Sequence, residues 1–309
     1  MSSLSPRRAT LYLPSLMMVM LLILSGCTSG TSRRDSSPVA LDQAAFESLK
    51  NAQHLSSDLR RAEYELTRRC MVAKGDQYVV PYVPTPYVFS SFTNLTVESA
   101  SQQGYRALLG HTPESDAIDA QIGALNQSMT EVELDKYVND LTGGENGPKG
   151  SVEIAGSKII FPMSGCQYEA QFKLYGDVTA WNQAELTVSR ASFQIFGIVE
   201  GQKRVADLNA QWSDCMKVKN RVYAQPGDAF DAGLKMSSGP DGSYIGPTEP
   251  EVALAVADAN CRVSTGYDAA LTEITNAALS QYARDNEGEV LKLIEIDRAA
   301  QQTAAKLIG

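Results

Sequence analysis

From Trp181 onward the apolar positions of this chain keep a single rhythm. Trp181, Ala184, Val188, Ala191, Ile195 and Ile198 are followed by Val205, Leu208, Trp212 and Cys215, in alternating steps of three and four broken only at Gly201. This spacing places every member on one helix face and predicts a heptad seam of roughly 35 residues. Gly197 and Gly201 weaken its middle, where a kink is expected. The C-terminal stretch repeats the pattern through Leu254, Ala257 and Cys261, then Leu271, Ile274, Ala278 and Tyr282, then Val290, Leu293 and Ile294. Gly266 and Gly288 are its expected interruptions. Two long helices with apolar seams suit an antiparallel hairpin, and equally two core helices of an ordinary bundle.

The N-terminal half carries shorter stripes. Leu59, Ala62, Leu66 and Cys70 are in helical phase in "SSDLRRAEYELTRRCMVAKG", and Cys166, Ala170 and Leu174 in "GCQYEAQFKLYGD". Between them the chain reads as irregular. Pro81, Pro84 and Pro86 exclude a helix from "VVPYVPTPYVFSSFTNLTV", and "GGENGPKG" is a turn. "SVEIAGSKIIFP" reads as a short hairpin turning at Ala155-Gly156-Ser157. "SSGPDGSYIGPTEP" is a loop ahead of a helix starting near Pro250. The expected fold is mainly α: a helical bundle with long C-terminal helices and a small β-hairpin.

The first residues bear on location. Arg7 and Arg8 precede an apolar run from Leu11 to Leu24, roughly fourteen residues, which suits a signal-peptide core and is short of the ~20 that span a bilayer. Leu24-Ser25-Gly26-Cys27 follows and resembles a bacterial lipobox. That resemblance implies a signal peptide over 1–26, cleavage before Cys27 and a diacylglyceryl group on its thiol. The two acyl chains would give stable anchoring at ~0.8 kcal/mol per buried methylene. Residues 27–45, opening "CTSGTSRRDSSPVALDQ", read as a flexible tether. The net charge is −9, and loss of Arg7 and Arg8 makes the remainder two charges more negative. Such a chain is a poor partner for nucleic acid, which asks for a basic patch.

Apart from Cys27 there are four cysteines: Cys70, Cys166, Cys215 and Cys261. An even number in an exported chain favours disulfides. No C-x-x-C occurs, and no Cys or His lies at ligand spacing from another, so metal and thioredoxin-like redox roles are not expected. Four cysteines allow three pairings. The expected one is Cys70–Cys166 with Cys215–Cys261, each joining a Cys-Met helix to a later helix with a lone Cys. The loop-entropy picture gives ~4–5 kcal/mol per bridge as an upper figure. "TRRCMVAKGDQY" and "SDCMKVKNRVY" both end a helix, both place lysine four residues past Cys (Lys74 and Lys219), and both precede an irregular loop. They suggest a weak duplication with halves near 46–180 and 181–309.

The lipobox, the "CM…KG" helix end, "GCQYEAQFKLYGD", "WSDCMKVK" and "EVALAVADANC" together resemble a family of uncharacterised actinobacterial (Streptomyces-like) lipoproteins. The resemblance covers most of the chain beyond the signal and implies a secreted, Cys-paired body with no activity attached. The sequence departs from it at Asn220, where glycine is usual, so that helix end is expected to be built differently.

No reaction is spelled out. G-x-S-x-G, S-x-x-K, H-E-x-x-H and calcium-loop patterns are absent, and the only histidines are His54 and His111. His54, at an expected helix start, and His111, before Pro113, read as surface residues. Glu169 is the best candidate for a carboxylate pair of the glycosidase kind, but Lys173 four residues on suits a plain helix ion pair. Asp177 reads as a helix N-cap. The sequons at Asn94 and Asn126 carry little weight in a bacterial chain. The most site-like stretch is the aromatic-proline loop. Tyr82, Tyr87, Phe89 and Phe92 are placed to stack on a sugar, to grip a partner, or to fold back over the helices. The function expected is a non-enzymatic binding or scaffold component of the cell envelope, with an envelope protein or the cell wall as partner and no cofactor. The alternative is a carboxylate-based cell-wall glycan hydrolase or its accessory domain.

Overall fold

The computed structural model describes residues 40–83, 95–110, 112–240 and 245–308. Helix α1 spans Gln43–Ala73, with Asp42 accepting the Ala45 N–H at 3.1 Å as its N-cap. It therefore begins inside the stretch read as tether. His54 is exposed in the middle of α1 and not at its start.

The region read as irregular before the hairpin contains three helices: α2 (Val97–Gln103), α3 (Pro113–Ser128) and α4 (Glu131–Thr142). Each opens with a capping box, Thr96 with Ser99, Thr112 with Ser115 and Thr130 with Glu133. In each box two side chains reciprocally satisfy backbone N–H groups that the first turn leaves without partners. Helix α3 carries a weak apolar stripe, whereas α4 carries a regular one in Leu134, Tyr137, Val138 and Leu141. A 3-10 turn, Gly104–Leu109, follows α2.

Strands β1 (Lys149–Ile154) and β2 (Ser157–Pro162) pair antiparallel, with Ile154 opposite Ser157. Ala155 and Gly156 both have positive φ, 49° and 76°, as a two-residue type I′ turn requires. Helix α5 covers Gly165–Tyr175, and α6 (Val178–Ser189) starts at Asp177, whose carboxylate accepts the Ala180 N–H at 2.9 Å.

The single long seam is divided into α6, α7 (Ala191–Glu200) and α8 (Lys203–Val218). Gly197 lies within α7, and the breaks fall at Arg190 and at Gly201-Gln202. The apolar stripe also slips by one position: Ile198 is exposed and Val199 is buried in its place. Helix α9 (Pro226–Met236) lies after "SDCMKVKNRVY", where an irregular loop was expected, and ahead of the glycine- and proline-rich loop from Ser237; Pro226 is in its first turn, where a missing N–H costs nothing. Then come α10 (Glu249–Thr265), α11 (Tyr267–Asp285) and α12 (Glu287–Ile308). Gly266 makes the first break in left-handed conformation; the second falls at Asn286, while Gly288 sits inside α12.

The packing explains this segmentation. Helix α8 lies on α10, α7 on α11 and α6 on α12, so the expected antiparallel hairpin exists as two rods each broken into three matching pieces. Helix α1 packs against α5, α11 and α12. Phe46, Leu49 and Ala52 of α1 share one core with Ile274, Leu293 and Trp212. Cys70–Cys166 ties α1 to α5, with Cα atoms 5.5 Å apart, and Cys215–Cys261 ties α8 to α10 at 5.7 Å. The fold is thus a disulfide-stapled, mainly α bundle with one β-hairpin. No helix among the described residues is long and apolar enough to cross a membrane.

The two Cys-Met helices end identically. Asp76 N–H bonds to Met71 C=O and Gly75 N–H to Val72 C=O; Arg221 N–H bonds to Met216 C=O and Asn220 N–H to Lys217 C=O. Gly75 (φ 87°) and Asn220 (φ 58°) hold the same left-handed position. The departure at Asn220 therefore does not change how the helix ends, because asparagine is the side chain that best tolerates this conformation.

Candidate functional site

Helix α10 places Asp258 and Arg262 one turn apart, both facing inward. The Arg262 Nε donates to Asp258 Oδ1 at 2.8 Å, and its other arm reaches Asp268 Oδ1 at 2.9 Å. Trp212 of α8 donates its indole N–H to Asp258 Oδ1 at 2.8 Å, and the Tyr105 hydroxyl donates to Oδ2 at 3.2 Å. Burial raises the Asp258 carboxyl, opposed by Arg262 and by these donors. Burial also works against the Arg262 charge, but Asp258 and Asp268 outweigh it and hold the guanidinium protonated. Tyr105 is held from behind: its N–H bonds to Glu251 Oε1 at 2.6 Å, and Ser237 donates to Oε2 at 2.7 Å. Gly233 makes room for the Tyr105 ring, since a Cβ there would lie 2.2 Å from it.

Beside this network is a cavity of about 510 Å³ among α7, α8, α9, α10 and α11. Its apolar wall includes Phe196, Val199, Val205, Phe230 and Leu271, and Tyr267 stands at one side. The Tyr267 hydroxyl donates to Asn209 Oδ1 at 2.7 Å, and burial pushes its own ionisation up to about 12. The Arg262 guanidinium lies 5.5 Å from the Tyr267 ring centre. An apolar enclosure of this size with a few fixed polar groups is the usual form of a small-molecule site.

A second cleft, about 360 Å³, opens between α1 and α6. Ser56, Arg60 and Tyr64 of α1 line it with Glu185, Ser189 and Tyr82. Arg60 pairs with Glu185 at 3.4 Å. Burial raises the Glu185 carboxyl despite Arg60. Two more carboxylates lie in the packing behind. Glu63 accepts from Gln171 at 2.9 Å and from the Tyr175 hydroxyl at 3.4 Å, and burial raises it too. Asp297 of α12 accepts from Ser56 at 2.5 Å, and burial pushes it up to about 6. Its other oxygen is left without a hydrogen-bond partner of good geometry.

Of the residues singled out from sequence, the four body cysteines form the two bridges described above. Tyr82 lines the second cleft, while Tyr87, Phe89 and Phe92 lie outside the described residues, as do Cys27, His111 and Asn94. Glu169 is exposed on α5 and lines neither cavity. No group of His, Cys, Asp and Glu among the described residues is arranged to hold a metal ion. Sequence reasoning missed Asp258, Arg262, Tyr267 and Glu185. The one local signal was the Asp258–Arg262 pair at a four-residue step on a face that also carries Leu254, Ala255 and Glu251. No protein-family model, curated protein or solved structure matches this chain.

Proposed function

We propose that this chain is a lipid-anchored extracytoplasmic protein, held at the membrane through Cys27, whose body binds a small molecule in the cavity among α7–α11 as a non-enzymatic component of the cell envelope. One observation carries the binding reading. Arg262, the basic side chain among the described lining residues, is engaged with Asp258 and Asp268 behind the wall, and Asp258 in turn with Trp212 and Tyr105. Such a fixed wall beside an apolar recess shapes and orients a ligand. The location rests on the resemblance of Leu24–Cys27 to a lipobox.

Nile red, a neutral apolar dye, tests the cavity. The full-length protein should bind one equivalent with a rise in fluorescence, and Leu271→Trp, which fills the cavity, should abolish that rise without lowering the melting temperature. Equal fluorescence from both proteins would sink the reading. For the anchor, Cys27→Ala should release the protein into the medium or leave it uncleaved; a variant that stays membrane-bound at mature length refutes lipidation.

The hydrolase reading has one observation in its favour, the raised carboxyl of Glu185 on the wall of the second cleft. Glu185 is the sole carboxylate among the described lining residues of that cleft, and a glycosidase needs two. Release of reducing sugar from purified cell wall by the wild type and not by Glu185→Gln would establish it over the binding reading.

A further inference from the structure

The charges around the α7–α11 cavity are unequal. Glu200, Asp228 and Asp231 line it, and all three are exposed. Arg262 is the single basic side chain among the described lining residues, and its charge is balanced between Asp258 and Asp268. Lys203 and Arg204, at the start of α8, are paired with Asp207 and Glu273. A recess with low-dielectric walls concentrates the field of such a rim and raises the local concentration of cations. Three aromatic rings, Phe196, Phe230 and Tyr267, are among the lining, and the Tyr267 ring already lies against the Arg262 guanidinium.

A second, independent feature points to a ligand. Thr275 of α11 lines the cavity, is only 5% exposed, and makes no hydrogen bond among the described residues. The hydroxyl is not among the sealed polar atoms that lack a partner, so it is open to the cavity it lines. Its oxygen is available to accept from a ligand N–H. The acids are not gathered as metal ligands. Volume, apolar wall, negative rim and unpartnered hydroxyl therefore favour an organic cation over a bare ion.

From these observations, and resting on the cavity reading above, we infer that the cavity binds an organic ammonium compound: a protonated amine on an apolar, preferably aromatic, body. The apolar body packs against Val199, Val205, Phe230 and Leu271, while the ammonium stays near Asp228, Asp231 and Glu200 or reaches Thr275.

Displacement of Nile red from the full-length protein by three matched compounds tests this. 4-Phenylbutylamine, 4-phenylbutanol and 4-phenylbutanoate present the same body with positive, neutral and negative heads at pH 7. The amine should displace the dye at roughly tenfold lower concentration than the alcohol, with the carboxylate weakest. The preference should shrink at high salt, because the rim is exposed. In Asp228→Asn/Asp231→Asn the amine should come within about twofold of the alcohol, whose own binding is unchanged. Thr275→Val should weaken the amine more than the alcohol if the ammonium reaches the hydroxyl. Equal displacement by all three, or preference for the carboxylate, overturns the charge inference and leaves the cavity reading intact. Failure of Nile red itself to bind overturns both.

Discussion

Two places in this molecule set an arginine among carboxylates, one sealed and one open to water, and they are built in opposite ways. Around Arg262, the acid and base come from one helix a single turn apart, and Trp212 and Tyr105 complete the hydrogen bonding of Asp258. Arg262 is 3% exposed and Asp258 fully buried. Around Arg60, the partners come from three helices: Glu63 from α1 itself, Glu185 from α6 and Asp297 from α12. There three carboxylates face one guanidinium, Arg60 is 40% exposed, and one oxygen of Asp297 is left over. The difference teaches what a buried charge needs. A fully bonded pair can be sealed beneath a ligand cavity, whereas an over-supplied set must keep access to water or hold protons.

The sharpest way to break the comparison is to remove one acid from each place. Asp258→Ala removes the nearer acid of Arg262 and leaves the Trp212 and Tyr105 donors without their acceptor in the interior, and should cost about 3–5 kcal/mol in chemical denaturation. Glu185→Ala leaves Arg60 able to turn to water and should cost about 1 kcal/mol or less. Similar losses for the two would mean that the cleft is as closed as the network.

The bridges come next, since each ties helices that carry one of the two places. Replacing Cys215 and Cys261 by serine, or Cys70 and Cys166, should cost about 2–4 kcal/mol in either case. The Cys70–Cys166 bridge spans 96 residues against 46, so its loss should cost about 0.6 kcal/mol more if the bridges act on the unfolded chain. A larger loss for Cys215–Cys261 would instead show that it acts by holding the Arg262 network together.

The smallest effect is one of pH. Asp297 titrates near 6 in the folded protein against 3.8 ordinarily, so the folded state binds more protons between those values. Its contribution to stability therefore falls as pH rises through that window and is lowest above it. Asp297→Asn should flatten the slope and gain about 1–2 kcal/mol at pH 7, because the Ser56 hydroxyl can turn to accept from the amide. An unchanged slope in the variant would assign it to Glu63 and Glu185, which burial shifts the same way.

What could be seen in the sequence was what depends on near neighbours. The type I′ turn at Ala155-Gly156, the Asp177 cap and the Gly266 break are each decided within a few residues. The break at Arg190 carries no glycine or proline; it arises because α6 must lie on α12 while α7 lies on α11. The slip from Ile198 to Val199 has the same origin. The three capping boxes were present in the sequence, ahead of a weak apolar stripe in α3 and of a regular one, Leu134, Tyr137, Val138 and Leu141, in α4. The cavity was out of reach, because its walls come from five helices and periodicity reports only which face is buried.

Helix α1 has one more consequence, for the order of events as the chain is made. Its partners α11 and α12 lie at the far end of the sequence, and the Ser56–Asp297 bond joins residues 241 apart. At ordinary rates of synthesis that interval lasts on the order of 10–50 s. Throughout it, Phe46, Leu49 and Leu59 have no native cover from the C-terminal helices, and α1 is an amphipathic segment open to chaperones or to misassociation. The first of the described helices thus waits longest for its cover, and since α5 and α6 also pack on α12, commitment to the native body waits for almost the whole chain.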